Sequence, residues 1–346
     1  MRLFPLFAVL CAALAGCRSA PDSTGNASEA ARATSFQIDR IHLPGEGRGD
    51  YILADPDARR LYVTHGPVVH ILDLDRLAPI ARVTGFKKAH GVALSHGKGY
   101  ASDGDGNRVL VFDPVNGRVL KTINAGGNPD SILTDPASSK VFVFNGASKD
   151  ATVIDPATDT IAKVIPIGDK PEFSQADGKG RIWVNLEESA AIAEIDTKSL
   201  TVVRRIALPD CEGPAALGFD PAKRRLFSTC GNGMLKVVDA DSGRVAAELP
   251  VGEDPDGIAF DPERERLYVA NRDGGWTIVV RTGDDRYQVE QRLAIDAYAK
   301  TAAYDPKTHR VFSSTADLVW PKAVPGKRLL PDARPGSFRL IVVSEK

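Results

Sequence analysis

The sequence repeats a unit of about 40 residues seven times, and this repeat constrains the fold more than any other feature. Each copy has a short apolar segment, a turn that usually begins with Asp, and a second apolar segment with an aromatic residue, as in DPERERLYVAN at 261–271. The turns begin at Asp55, Ser95, Asp135, Asp177, Asp220, Asp261 and Asp305, separated by 40 to 44 residues. A period of this length is typical of a β-propeller in which each repeat forms one blade.

Each repeat contains four short apolar segments separated by turn residues, so we predict an all-β, seven-bladed β-propeller of four-stranded antiparallel blades. One aromatic residue recurs on the second strand, where its ring is expected to pack between blades. The series is Tyr62, Tyr100, Phe142, Trp183, Phe227, Tyr268 and Phe312. The last repeat lacks one strand. We therefore expect a strand at about 36–43 to pair with the C-terminal strand at about 338–343, which closes the ring and leaves no open sheet edge.

The second strands of the repeats share short motifs, such as LYVTH, VFVFN and LYVAN. They are followed by strings such as VIDPATDTIAKVIPIG and VVDADSGRVAAELPVG. With these motifs the sequence resembles the YVTN-repeat propellers, a group that includes the YncE-like exported proteins. The resemblance covers nearly all of residues 36–344 and implies the propeller fold, but the group has many roles and implies no single activity.

The first sixteen residues, MRLFPLFAVLCAALAG, combine one positive charge with an apolar run, which is typical of a secretory signal peptide. The string LAGC at 14–17 resembles the lipobox of bacterial lipoproteins, which implies that Cys17 becomes the acylated first residue. An ordinary signal peptide with a chance cysteine is the alternative. The predicted domains are a signal peptide at 1–16, the lipidated cysteine and a flexible tether at 17–34, and the propeller at 35–346.

Residue 18 is Arg, not the aspartate that commonly retains lipoproteins in the inner membrane of enteric bacteria. The resemblance thus implies a bacterial cell-envelope protein, lipid-anchored at the outer membrane and facing the periplasm, where disulfides persist. Of the four cysteines, Cys11 would leave with the signal peptide and Cys17 would carry lipid. Cys211 and Cys230 are therefore predicted to form a disulfide, and the repeat register places both on the same face of blade five.

The innermost strand of each blade is expected to begin five residues before the turn. These positions hold Asp50, His90, Asp130, Glu172, Ala215, Asp256 and Lys300. A propeller gathers them at the mouth of its central channel, where four carboxylates repel one another unless a cation, a basic side chain or a raised pKa relieves the repulsion. The alternative to a ligand or metal site is a water-filled mouth with solvated, partly compensated charges. Oxygen ligands favour calcium or magnesium, and His90 would allow zinc.

Blade seven carries an insertion, DLVWPKAVPGKRLLPDARPG at 317–336, between its second and third strands. This loop is expected on the same face as the channel mouth, which we name the top face. Its candidate contacts to a partner are Trp320, Lys322, Lys327 and Arg328, because tryptophan and basic residues often anchor interfaces. A loop without function is the alternative.

The formal net charge is −1, and it becomes −2 when a leader with Arg2 is removed, so we expect no nucleic-acid binding. We expect a lipid-anchored monomer that acts as a binding or scaffold module through its top face, without chemistry of its own. Its expected partners are the membrane and a protein or another envelope component. One alternative is a metal-dependent hydrolase resembling the propeller lactonases, with an ion at the channel mouth. A second resembles the propellers of electron-transfer proteins, although the sequence has no haem attachment motif.

Overall fold

The computed structural model describes residues 34–322 and 330–346, and they form a seven-bladed β-propeller with four antiparallel strands in each blade. This confirms the predicted fold class. The only helical turn within the described ranges is a short 3₁₀ turn at Gly104–Gly106, and none of their segments is a helix able to cross a bilayer. The predicted signal peptide, Cys17, Lys327 and Arg328 lie outside the described residues.

Six blades are each built from four consecutive strands, which follow β1 (Phe36–His42). Blades one and two contain β2 (Gly49–Asp55), β3 (Arg60–His65), β4 (Val68–Asp73), β5 (Pro79–Thr84), β6 (Ala89–Ser95), β7 (Lys98–Asp103), β8 (Arg108–Phe112) and β9 (Val119–Asn124). Blades three and four contain β10 (Pro129–Thr134), β11 (Val141–Asn145), β12 (Asp150–Asp155), β13 (Thr160–Pro166), β14 (Pro171–Ala176), β15 (Arg181–Leu186), β16 (Ala191–Asp196) and β17 (Thr201–Ala207). Blades five and six contain β18 (Leu217–Asp220), β19 (Arg225–Cys230), β20 (Met234–Asp239), β21 (Val245–Pro250), β22 (Pro255–Asp261), β23 (Arg266–Asn271), β24 (Gly275–Gly283) and β25 (Arg286–Ala294).

The seventh blade combines both ends of the described chain. Its strands are β26 (Ala303–Asp305), β27 (Arg310–Thr315), β30 (Arg339–Glu345) and β1. Strands β1 and β30 pair antiparallel along their whole length, with Phe36 opposite Glu345 and His42 opposite Arg339. The predicted closure of the ring is therefore confirmed. Between β27 and β30, the insertion forms a hairpin of β28 (Leu318–Val319) and β29 (Asp332–Ala333).

The recurring aromatic residues pack between neighbouring blades, as predicted. All seven are buried, with at most 1% of their surface exposed. The ring of Trp183 in blade four lies 5.1 Å from that of Phe219 in blade five, measured between centroids. Full burial of a large apolar side chain stabilises a fold by about 1.5–3 kcal/mol, so the repeated ring holds each blade against the next.

The innermost strands surround a channel whose two ends differ in chemistry. They begin at the top face and end at the Asp turns of the repeat, where Phe219, Phe260 and Tyr304 line an apolar cavity. Between the two ends, the rings of Tyr51 and Phe173 meet edge to face, with centroids 5.2 Å apart. The charged end of the channel is therefore separated from the apolar end by aromatic side chains.

Candidate functional site

The structure brings the predicted mouth residues together around the channel axis. We name them the inner ring: Asp50, His90, Asp130, Glu172, Ala215, Asp256 and Lys300. All except Ala215 line one cavity of about 430 Å³ on the top face. Their positions follow from the repeat, because each lies within three residues of the start of the innermost strand of its blade.

His90 lies between two carboxylates that come from the neighbouring blades. Its Nδ1 is 2.5 Å from Asp50 Oδ2 and 3.2 Å from Asp130 Oδ1. Burial by itself would lower the pKa of His90, but the charges and hydrogen bonds of Asp130 and Asp50 outweigh it and raise the pKa to about 10. At neutral pH the imidazole is therefore a cation that offsets part of the ring's negative charge.

Lys300 binds the second carboxylate oxygen of Asp50 and links it to Asp256 of blade six. Its Nζ donates to Asp50 Oδ1 at 2.9 Å and to Asp256 Oδ2 at 2.8 Å, and Arg272 lies 2.9 Å from the same Asp256 oxygen. Burial favours the neutral acids, but the charge of Lys300 overcomes it and lowers the pKa of both carboxyls. Both are ionised at neutral pH, so this part of the ring is a fixed network of ion pairs.

Glu172 is the inner-ring acid whose charge is least well compensated. Burial and the negative charge of Asp130 raise its pKa to about 8, although Lys170 lies 2.7 Å away and partly opposes them. The carboxyl is therefore largely protonated at neutral pH. One of the four ring acids thus relieves the predicted repulsion by keeping its proton, while basic side chains relieve the others.

Ala215 leaves a gap in the ring, and a second cavity of about 720 Å³ opens beside it. As in blade seven, whose innermost strand begins at Ala303 and not at Lys300, blade five differs here from the predicted register, because its innermost strand begins at Leu217 and not at Ala215. Before that strand, the predicted disulfide joins Cys211 to Cys230, across a sequence separation of 19 residues. The disulfide fixes the loop that borders the gap.

A second circle of residues, which we name the outer ring, stands above the inner ring. It consists of the residues two positions earlier: Arg48, Lys88, Asn128, Lys170, Gly213, Asp254 and Tyr298. The sequence analysis missed this ring and also Arg272. The signal was available, because side chains two residues apart in an extended segment point to the same side.

The insertion of blade seven contributes to the same cavity. Leu330, Asp332 and Ala333 line it, and the exposed Trp320 contacts Tyr298 edge to face at a centroid distance of 5.8 Å. Lys322 is exposed. The insertion therefore lies on the top face and reaches the mouth.

Asp50, His90 and Asp130 could together hold a divalent cation. Each offers one ligand atom, and these atoms lie within 4.8 Å of one another. Two oxygens and one imidazole nitrogen suit zinc or another transition metal better than calcium, which prefers oxygen alone. A metal would have to displace the proton on Nδ1 of His90. The affinity of the three residues for an ion would therefore be higher at high pH than at low pH.

Comparison with known proteins shows the family and the fold. The family described as "Domain of unknown function (DUF5074)" matches residues 51–284. A hydrazine synthase structure from Kuenenia stuttgartiensis is similar, with a TM-score of 0.69 and 18% sequence identity, over 79% of this chain and 94% of that chain. At this identity the likeness concerns the fold alone. No curated protein matches the chain.

Proposed function

The chain belongs to the family described as a domain of unknown function (DUF5074), and we propose that it is a binding module that holds a polar ligand or partner at the mouth of its channel. The family description names no activity, so the proposal depends on the site. The observation that carries it is the mouth cavity, which both rings and the insertion line together. A concave site with a few fixed polar groups is the usual form of a ligand pocket.

The ion pairs of the inner ring favour binding because they fix the polar groups before a ligand arrives. Asp50 is held by His90 and Lys300, and Asp256 is held by Lys300 and Arg272. Groups that are already ordered cost less conformational entropy on association. A protein or another cell-envelope component with exposed polar groups is the partner that such a surface suits.

Crosslinking in cells followed by copurification tests this function. Residues 318–333 can be replaced by Gly-Gly, because the backbone N–H of Arg334 already donates to Asp317 O at 2.7 Å. We expect this shortened chain and Trp320→Ala to lose crosslinked partners. Leu120→Ala, at an exposed position on the outermost strand of blade two, is the matched control. A partner set that is the same in all three variants would contradict a role for the insertion at the mouth.

We also propose that Cys17 anchors the module in the cell envelope, at the outer membrane. The described chain begins on the face opposite the mouth, just before β1, the outermost strand of blade seven. There Arg266 Nη2 donates to Thr34 Oγ1 at 3.1 Å, and Lys346 N donates to Ser35 O at 2.9 Å. Arg266 directly follows an Asp turn at the apolar end. A tether that leaves from this end would keep the mouth accessible to a partner.

Metabolic labelling with a clickable palmitate analogue, followed by membrane fractionation, tests the anchor. We expect Cys17→Ala to abolish both the label and the membrane association, whereas Cys11→Ala, inside the signal peptide, should keep both. Equal labelling of the two variants would exclude Cys17 as the lipidation site.

The group formed by Asp50, His90 and Asp130 supports a second candidate, a metal-dependent hydrolase. A bound ion would supply a Lewis acid and a water of lowered pKa, and Asp50 and Asp130 would hold it with His90. Elemental analysis after loading with zinc or calcium and exhaustive washing tests this candidate. It requires one ion per chain in the wild type and none in Asp50→Asn/Asp130→Asn. A wild-type chain without stoichiometric metal would exclude it.

A further inference from the structure

One side of the mouth carries an arc of polar side chains for which the described residues provide no partner. Arg48, Lys88 and Asn128 belong to the outer ring on blades one, two and three, and all line the mouth cavity. None of these three side chains has an ion pair or a hydrogen bond within the part of the chain that the structure describes. Of the other cations that line this cavity, Lys170, Arg272 and Lys300 are paired with carboxylates. The exposed Lys87, beside Lys88, also has no ion pair among the described residues.

The backbone that carries this arc is fixed by hydrogen bonds. The buried Asp103 accepts at Oδ1 from the backbone N–H groups of Lys87 and Lys88, at 2.9 and 2.8 Å. The backbone N–H of Asn128 donates to Asn107 Oδ1 at 2.8 Å. The loops of blades two and three are therefore held in place while the side chains of Lys88 and Asn128 stay unpaired. Because the backbone is already fixed, only the side chains remain to be ordered when an anion binds.

A buried polar atom without a partner lies next to the arc. His90 is 4% exposed, and its Nε2 makes no hydrogen bond with any described residue. A Cβ at Gly104 would stand 2.4 Å from this nitrogen and 2.9 Å from Asn128 Oδ1, so only glycine keeps the space between them open. Unsatisfied buried polar groups are rare in folded proteins and indicate a group or water that the site receives.

We propose that the arc of Arg48, Lys88 and Asn128 binds an anionic group, a phosphate or a carboxylate, on the ligand of the channel mouth. The inference rests on the proposed binding function and names the chemistry of the ligand. Arginine and lysine bind such oxyanions through charge-assisted hydrogen bonds. Asp105 and Asp332 line the same cavity, but neither forms an ion pair with the two cations among the described residues.

The opposite side of the mouth has more acidic than basic side chains. The cavity beside Ala215 is lined by Glu187, Glu212 and Asp254 in addition to two inner-ring acids, against the cations Lys170 and Arg272. An anionic group is therefore repelled from blades five and six and attracted to blades one to three. This polarity orients the ligand with its anionic end at the arc.

Isothermal titration calorimetry of the purified domain at low ionic strength tests the proposal, with inorganic phosphate and citrate as separate probes. We expect wild-type protein to bind at least one of them, and Arg48→Gln/Lys88→Gln to weaken that binding at least about ten-fold. Lys163→Gln/Lys198→Gln removes two exposed lysines outside the mouth and should leave binding unchanged. Binding of phosphate alone identifies a phosphoryl group, and binding of citrate alone identifies a carboxylate.

Two results would overturn the proposal: wild-type protein that binds neither anion, or equal binding by the two double variants. An unchanged thermal midpoint shows that Arg48→Gln/Lys88→Gln is folded. If this variant loses no crosslinked partner and the wild type binds no anion, the anion site is wrong while the binding function stands. If instead the partners are unaffected by every change at the mouth, the proposed function itself is wrong.

Discussion

His90 and Asp50 lie 40 residues apart in the sequence, yet Nδ1 of the imidazole is 2.5 Å from Oδ2 of the carboxylate. The two residues occupy the same repeat position in neighbouring blades. Lys300 reaches the other oxygen of Asp50 from a distance of 250 residues in sequence, at 2.9 Å. Closure of the ring therefore makes one continuous charge network out of repeats from both ends of the chain.

The pKa of His90 should depend on Asp130. This carboxylate lies 3.2 Å from Nδ1 and contributes to raising the pKa to about 10. We expect Asp130→Asn to lower the pKa of His90 by at least about 1 unit, because removal of a nearby charge destabilises the imidazolium. NMR of the imidazole signals during a pH titration measures the change. Asp105→Asn removes an acid from the same cavity and should have little effect; equal shifts in both variants would contradict the pairing.

Glu172 should make the folded protein less stable as the pH rises. Its pKa is about 8 in the folded chain against 4.5 for the ordinary group, so the folded state holds the extra proton between these values. The contribution of Glu172 to the free energy of unfolding therefore falls as the pH rises from 4.5 to 8. At pH 8 we expect the free energy of unfolding of Glu172→Gln to be higher than that of the wild type by about 1 kcal/mol. At pH 5 we expect little difference.

Denaturant unfolding at the two pH values measures the effect of Glu172→Gln. Glu212→Gln is the control, because Glu212 is an exposed acid that lines the second cavity. If the difference between Glu172→Gln and the wild type does not grow with pH, Glu172 does not retain its proton in the fold.

Two buried histidines should make the closure of the ring sensitive to acid. His65 Nδ1 and His70 Nε2 are 3.1 Å apart, and the His65 ring stacks on Phe338, directly before β30, at 3.6 Å. Burial lowers the pKa of both to about 4, helped by the charge of His70 on His65 and of Arg82 on His70. The unfolded chain binds protons from pH 6.5 downward, so stability is lost as the pH falls from 6.5 to 4.

We expect His70→Gln to reduce this loss of stability in acid, whatever its effect at pH 7. The slope of the unfolding free energy between pH 6.5 and pH 4 is the quantity to compare. His96→Gln removes a histidine that is exposed in a turn and should keep the wild-type slope. An unchanged or steeper slope in His70→Gln would show that the buried pair does not cause the acid sensitivity.

The disulfide should stabilise blade five. A loop closed over the 19-residue separation of Cys211 and Cys230 contributes about 3 kcal/mol in the chain-entropy model. We therefore expect Cys211→Ser/Cys230→Ser to lower the thermal midpoint, and a reducing agent to lower the midpoint of the wild type by a similar amount. The double variant should not respond to the reductant. If the wild type does not respond either, the bond does not contribute to stability.

The position of each inner-ring residue was predictable because a repeat is a local property of the sequence. Counting five residues back from each Asp turn identified Asp50, His90, Asp130, Glu172, Asp256 and Lys300 as channel-mouth residues. The same register placed Cys211 and Cys230, which were predicted to pair as the two remaining cysteines, on one face of blade five. The count was less accurate at Ala215 and Lys300, where the strands begin two and three residues later.

The pairing of charges could not be predicted from the repeat. Lys170 and Arg272 compensate the ring acids through side-chain conformations, and the repeat register does not specify those conformations. The contact of the insertion with the cavity depends on the path of Leu330 and Asp332 over the top face, outside the repeat. The stacking of His65 on Phe338 joins residues from opposite ends of the chain, at the point where blades one and seven meet.

The sequence by itself determined the number of blades, the closure of the ring and the circle on which the acids stand, because apolar periodicity and turn residues act over short distances. Only the tertiary structure decided which acids are paired, which one keeps its proton, and where unpaired cations remain. Those properties depend on burial and on distances of a few ångströms between blades, and both arise only after the ring has closed.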